Sequence, residues 1–207
     1  MVTAVKICGI TRHADAQAAT ALGAQAIGFV FFAKSPRNVS IAGAAELVNA
    51  LPPFVTAVGL FVNPAAQDVK NVLKDVPLNL LQFHGDEPPA FCAQFGMPYL
   101  KAARVKAGLD LLQYAQIYRA ARGLLLDAYV DGTHGGTGTA FDWSLIPRGL
   151  PLPVILSGGL NPENVGDAIR RVAPWAVDVS SGVEASPGVK DPQKIAAFMR
   201  EVRSADV

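Results

Sequence analysis

Apolar residues along this chain fall into two alternating patterns. Short β-type runs occupy Ala4–Cys8, Ala26–Phe31, Val55–Phe61, Leu78–Phe83, Tyr99–Ala103, Gly123–Asp127, Val154–Leu156 and Ala176–Val179. They lack strict in/out alternation, as expected of strands covered on both faces in a parallel sheet. Between them lie segments with helical spacing. Asn63-Pro64, Asn161-Pro162 and Asp191-Pro192 each pair a side-chain acceptor with a proline at the first helical position, a helix-start signal. Ser40 caps another expected helix with Ala44, Leu47, Val48 and Leu51 on its face, and Leu109–Tyr118 makes a further one. The sixth helix is the weakest, with only Phe141–Ile146 available before Pro147.

Eight β-then-α units predict an α/β fold over residues 1–207: a single (β/α)8 TIM barrel of parallel strands, with its active site at the C-terminal face. A doubly wound open sheet is the competing arrangement. It would gain from a G-x-G-x-x-G loop after the first strand, and Cys8-Gly9-Ile10-Thr11-Arg12 is not one.

Composition narrows the function. The 207 residues are 51% apolar and carry a formal net charge of +1. That balance argues against disorder and against a nucleic-acid partner, since no basic stripe is available to neutralise a run of phosphates. An anionic ligand must then be held by a local site. With only Cys8 and Cys92 and no paired framework, the chain reads as a protein of a reducing compartment. No signal-peptide core and no long apolar span is visible, so a cytoplasmic protein without a membrane partner is expected.

In such a barrel the reactive groups sit where strands end, and the polar residues of this chain collect there. Ser157-Gly158-Gly159 follows the seventh run, and Ser180-Ser181-Gly182 the eighth, before a stretch that could form a short extra helix. Glycines admit an anion close to the backbone, and these two loops are the usual phosphate seat of the fold. Each alone reads as a turn; together they favour phosphate binding. Cys8 reads either as a packing residue or as a thiolate base, the latter requiring nearby positive charge. Asp127, after three leucines, should point into the mouth, where partial burial would favour general-acid use; a loop cap or arginine partner is the alternative. Arg37, behind Ser35-Pro36, offers a planar fork for a carboxylate, or is a solubilising surface residue. Val130–Thr139, with His134, reads as a lid or a long connection. His13, His84 and His134 lack ligand spacing, so no metal is expected.

An ordered series of motifs gives a sharper reading. Lys6-Ile7-Cys8-Gly9-Ile10-Thr11, Ser35-Pro36-Arg37, Gln82-Phe83-His84-Gly85-Asp86, Gly135-Gly136-Thr137-Gly138, Ser157-Gly158-Gly159-Leu160-Asn161-Pro162 and Asp178-Val179-Ser180-Ser181-Gly182-Val183-Glu184 run across essentially the whole chain. In that order they resemble the phosphoribosylanthranilate isomerase family of tryptophan biosynthesis. Phe83, Ser157 and Thr139 stand where the family more often has leucine, alanine and lysine.

The resemblance implies an Amadori rearrangement of N-(5′-phosphoribosyl)anthranilate to an open-chain deoxyribulose phosphate, with no cofactor. Asp127 would be its general acid and Cys8 its general base. Arg37 would hold the anthranilate carboxylate, Gly158, Gly159, Ser180, Ser181 and Gly182 the phosphate, and Asp178 the ribose hydroxyls. His84 joins them as a substrate-binding residue. Two other readings are a non-catalytic phospholigand-binding barrel and a Schiff-base aldolase resting on Lys101. A monomer and a homodimer both remain open, because Phe91 and Phe95 suit either core or interface.

Overall fold

The computed structural model describes residues 2–128 and 141–206. Eight parallel strands close into a barrel: β1 (Ala4–Cys8), β2 (Ala26–Phe31), β3 (Thr56–Phe61), β4 (Leu80–Phe83), β5 (Tyr99–Val105), β6 (Gly123–Ala128), β7 (Val154–Leu156) and β8 (Ala176–Val179). Closure is made by β8 against β1, with Ala4 opposite Ala176 and Ile7 opposite Val179. Among the described residues seven α-helices surround the barrel: α1 (His13–Ala21), α2 (Ile41–Asn49), α3 (Ala66–Asp75), α4 (Pro89–Ala93), α5 (Leu111–Ile117), α6 (Val165–Val172) and α7 (Pro192–Ala205).

The expected helix starts divide according to which side chain reaches the free N–H groups. Ser40 accepts from Gly43, Asp110 from Gln113, and Asp191 from both Gln193 and Lys194. Asn63 does not cap α3. It takes a left-handed backbone (φ 46°), and its Oδ1 accepts instead from the Asp86 N–H across the mouth, so α3 begins after Ala65 with no side-chain cap. Asn161 accepts from Glu163 and Asn164, holding one turn ahead of α6 rather than its first residue. The weak sixth helix is a single 3-10 turn at Trp143–Leu145. The expected extra helix after β8 is likewise one 3-10 turn, Ser181–Val183, and leads into an antiparallel hairpin of β9 (Glu184–Ser186) and β10 (Val189–Lys190). The glycine-rich stretch with His134 lies outside the described residues.

Side chains of alternate strand positions fill the barrel. Leu100, Ala102, Leu125, Ile155 and Ala176 pack low in it, and Cys8, Val30, Leu60 and Val62 near the mouth. The other strand faces meet the helices, where Phe83, Phe91, Phe95 and Tyr99 stack on one another. Phe91 and Phe95 therefore pack against the core. Burying each such ring contributes on the order of 2 kcal/mol before entropy, so this layer is a major source of stability.

Candidate active site

At the C-terminal mouth a cavity of about 80 Å3 is lined by Cys8, Arg37, His84, Asp127, Asp178 and Ser180, among others. The parallel register produces this convergence. Positions at or just beyond the C-terminal ends of β1–β4 and β6–β8 face the same space.

The centre of the site is a buried charge cluster. Lys6, two residues before Cys8 on the same inward face of β1, places Nζ 2.7 Å from Asp178 Oδ1. Ser157 Oγ donates to the other Asp178 oxygen at 3.2 Å. Room for this cluster comes from Gly28 on β2: a Cβ there would lie 2.8 Å from Cys8 Sγ and 3.0 Å from Lys6 Nζ. Burial pushes the Cys8 thiol up and Asp178 adds to that, while Lys6 opposes both. Lys6 is itself held above its ordinary range, because Asp178 and Cys8 outweigh the burial that pulls it down. The second thiol, Cys92, is buried on α4 and pushed up to about 11 by burial.

Asp127 ends its strand facing the mouth, as its position after three leucines implies. Its Oδ2 lies 2.9 Å from His84 Nε2, and its Oδ1 accepts from the Ala128 N–H at 2.8 Å. The Gln82 amide nitrogen stands 2.9 Å from His84 Nδ1. With the Gln82 amide in this orientation Nδ1 accepts and Nε2–H points at Asp127. Both ring nitrogens of His84 are thus engaged within the protein.

Arg37 reaches the same mouth but is not a lone guanidinium. Its Nε and Nη2 make a paired contact with Glu184 at 2.8 and 2.7 Å. The phosphate loops are interlocked. Gly158 and Gly159 both take left-handed φ, and Gly182 packs against the Leu160 carbonyl so closely that no side chain would fit. Among the described residues nothing accepts from the N–H groups of Gly159, Ser181 or Gly182. Unpaired N–H groups beside glycines form an anion cradle.

Lys101 behaves otherwise. It lies within β5 facing the helix layer, fully buried, with Nζ 2.9 Å from Glu87 and also donating to the Gly85 carbonyl. It does not line the mouth cavity, and its ammonium is committed to Glu87 and Gly85, which argues against Schiff-base chemistry there. Sequence reasoning missed Lys6 and Glu184. The signal for Lys6 was the period of two along β1, which puts it on the Cys8 face. Glu184 gave no local signal, since its partner is 147 positions away.

Comparison with known proteins decides the family. The sequence profile of N-(5'phosphoribosyl)anthranilate (PRA) isomerase matches residues 5–201. The chain belongs to this family. It is 63% identical to the N-(5'-phosphoribosyl)anthranilate isomerase of Nitrosospira multiformis over 96% of this chain and 95% of that one. Among solved structures, a phosphoribosyl anthranilate isomerase in complex with reduced 1-(o-carboxyphenylamino)-1-deoxyribulose 5-phosphate superposes with a TM-score of 0.83 and 42% identity, covering 98% and 99% of the two chains. Monomers made from the dimeric phosphoribosylanthranilate isomerase of Thermotoga maritima match with a TM-score of 0.83 and 41% identity, over 98% and 99%.

Proposed function

We propose that this chain catalyses the Amadori rearrangement of N-(5-phosphoribosyl)anthranilate to 1-(2-carboxyphenylamino)-1-deoxyribulose 5-phosphate, the isomerase step of tryptophan biosynthesis, by general acid/base catalysis. The observation that carries it is the placement of one thiol, one carboxyl, one guanidinium and a glycine cradle around a single mouth. Asp127, oriented by His84, delivers a proton to the ribose ring oxygen as the ring opens to a Schiff base. Cys8, as thiolate beside Lys6, removes the C2′ proton. The resulting enolamine tautomerises to the ketone. Asp178 faces the ribose hydroxyls, while Arg37 takes the anthranilate carboxylate. The Gly158-Gly159 and Ser180-Ser181-Gly182 loops take the phosphate.

Loss of substrate fluorescence tests this reading. Freshly prepared N-(5-phosphoribosyl)anthranilate should decay rapidly with the native protein and not with Cys8→Ala. No decay with the folded native chain would leave a phosphate-binding barrel and remove the assignment. The two free thiols, Cys8 and Cys92, suit work in the cytoplasm.

A homodimer is the assembly favoured by the opposite face. Phe54, just before β3, is 96% exposed. A cavity of about 200 Å3 opens on that same N-terminal face, lined by Val58, Leu80, Leu100, Ile155 and Trp175 among others. A two-fold pairing of such faces lets each copy's Phe54 enter the other's cavity, and the Thermotoga relative is dimeric.

A further inference from the structure

Arg37 carries five N–H donors arranged along two carboxylate-matching edges, Nε/Nη2 and Nη1/Nη2. Glu184 takes the first edge with both oxygens. Among the described residues nothing takes the second, while Arg37 lines the mouth cavity. Glu184 is itself gripped from the other side. Lys190, fully buried, donates to Glu184 Oε1 at 2.8 Å and also to the Ser180 carbonyl and hydroxyl.

The hairpin that carries both residues is locked in place. Thr11 Oγ1 donates to the Gly188 carbonyl at 2.6 Å, and the Lys190 N–H donates to Asp15 at 3.0 Å. Gly188 takes a left-handed φ and packs so tightly that a Cβ would lie 2.9 Å from the Pro36 carbonyl. On the opposite side the Arg37 stem crosses Gly9, where a Cβ would lie 2.6 Å from Arg37 Cδ. Arg37 is thus clamped between a bare glycine and the Glu184 hairpin.

We propose that Glu184 is a positioning residue for substrate recognition: it fixes Arg37 by one edge, leaving the Nη1/Nη2 edge set to receive a single carboxylate from the substrate. The charges agree with that role. One buried cation, one half-buried cation and one buried anion leave the cluster with one positive charge for the incoming carboxylate. Because Lys190 also holds Ser180, the same hairpin ties the carboxylate end of the site to the phosphate end.

This inference rests on the assignment of Arg37 to the anthranilate carboxylate, and its test separates the two. Steady-state constants are measured for native protein, Glu184→Gln and Arg37→Ala. Two substrates are used: N-(5-phosphoribosyl)anthranilate and N-(5-phosphoribosyl)aniline, which lacks the carboxylate. Glu184→Gln should raise KM for the anthranilate substrate by about tenfold, the scale of a weakened charge-assisted hydrogen bond, with kcat little changed. KM for the aniline analogue should not move. An unchanged or lower KM in Glu184→Gln, beside a raised one in Arg37→Ala, would overturn the role of Glu184 and leave Arg37 in place. An equal rise for both substrates would also overturn it, marking general loosening. No effect in Arg37→Ala would remove the carboxylate assignment itself. Should Glu184→Gln not fold, Glu184→Asp, which keeps the charge but withdraws it, must show a smaller rise confined to the anthranilate substrate; no rise overturns the proposal.

Discussion

Lys6 Nζ sits 2.7 Å from Asp178 Oδ1, and both residues also act on the Cys8 thiol. Their effects on that thiol oppose each other. Asp178 and burial favour the neutral form, and Lys6 favours the thiolate. A base removing a carbon-bound proton needs the thiolate, so Lys6 should govern how much of Cys8 is ready at neutral pH.

Lys6→Met therefore should raise the thiol further. The thiolate fraction at neutral pH falls, and the rising limb of kcat/KM against pH moves to higher pH. A displacement of about one unit means about tenfold at neutrality. The rate of Cys8 alkylation by iodoacetamide should shift the same way, while Lys6→Arg should keep much of the native profile. An unmoved limb in Lys6→Met would show that the ammonium does not tune the thiol.

For Asp127→Asn, turnover should fall at least ~100-fold, the usual scale for losing a general acid. The amide keeps the shape of the carboxyl and can still accept from His84, so the melting temperature should change little. Near-native kcat in this variant would take Asp127 out of the reaction.

The barrel was legible in the sequence because its signal is local: apolar runs, helix starts and their even alternation. All eight strands fall within two residues of the apolar runs at either end. Cys8, Asp127 and the two glycine loops were legible for a related reason, as strand-end positions in a parallel barrel share one mouth. Two kinds of feature were hidden. Asn63 matched a cap signal, yet a cross-loop hydrogen bond to Asp86 drew its side chain away. Glu184 and Lys190 lie in a stretch that read as a short extra helix, and only the closed fold brings them to each other and to Arg37. Lys101, which read as a strand-end residue but lies within β5, misled in the opposite sense. Its odd register on β5 turns it outward, between barrel and helices.

That lysine makes a stability prediction. Lys101 and Glu87 are both buried and pair at 2.9 Å, and Glu87 in turn holds the Asn63 and Gly85 N–H groups. Removing one partner leaves a buried charge uncompensated, which typically costs about 3–5 kcal/mol. Lys101→Met should lose stability on that scale in urea unfolding. Its folded fraction should still turn over substrate, and borohydride should trap no adduct on native Lys101. A stable but inactive Lys101→Met protein would return the residue to the chemistry.

Phe54 tests the opposite end of the barrel. In the proposed dimer a large exposed ring and an apolar cavity on one face are self-complementary under a two-fold axis, each copy supplying one of each. Such centrally buried aromatic anchors commonly contribute about 2 kcal/mol or more, which corresponds to roughly a thirtyfold change in Kd. Phe54→Ser should therefore move the protein from dimer to monomer in sedimentation velocity at a fixed concentration. Its kcat/KM should stay native, because the reacting groups lie at the other end of the strands. Filling the cavity from within, by Ala176→Leu, should weaken the dimer in the same way without touching Phe54. A native protein that sediments as a monomer, or a Phe54→Ser dimer as tight as the native one, would show that this face does not pair.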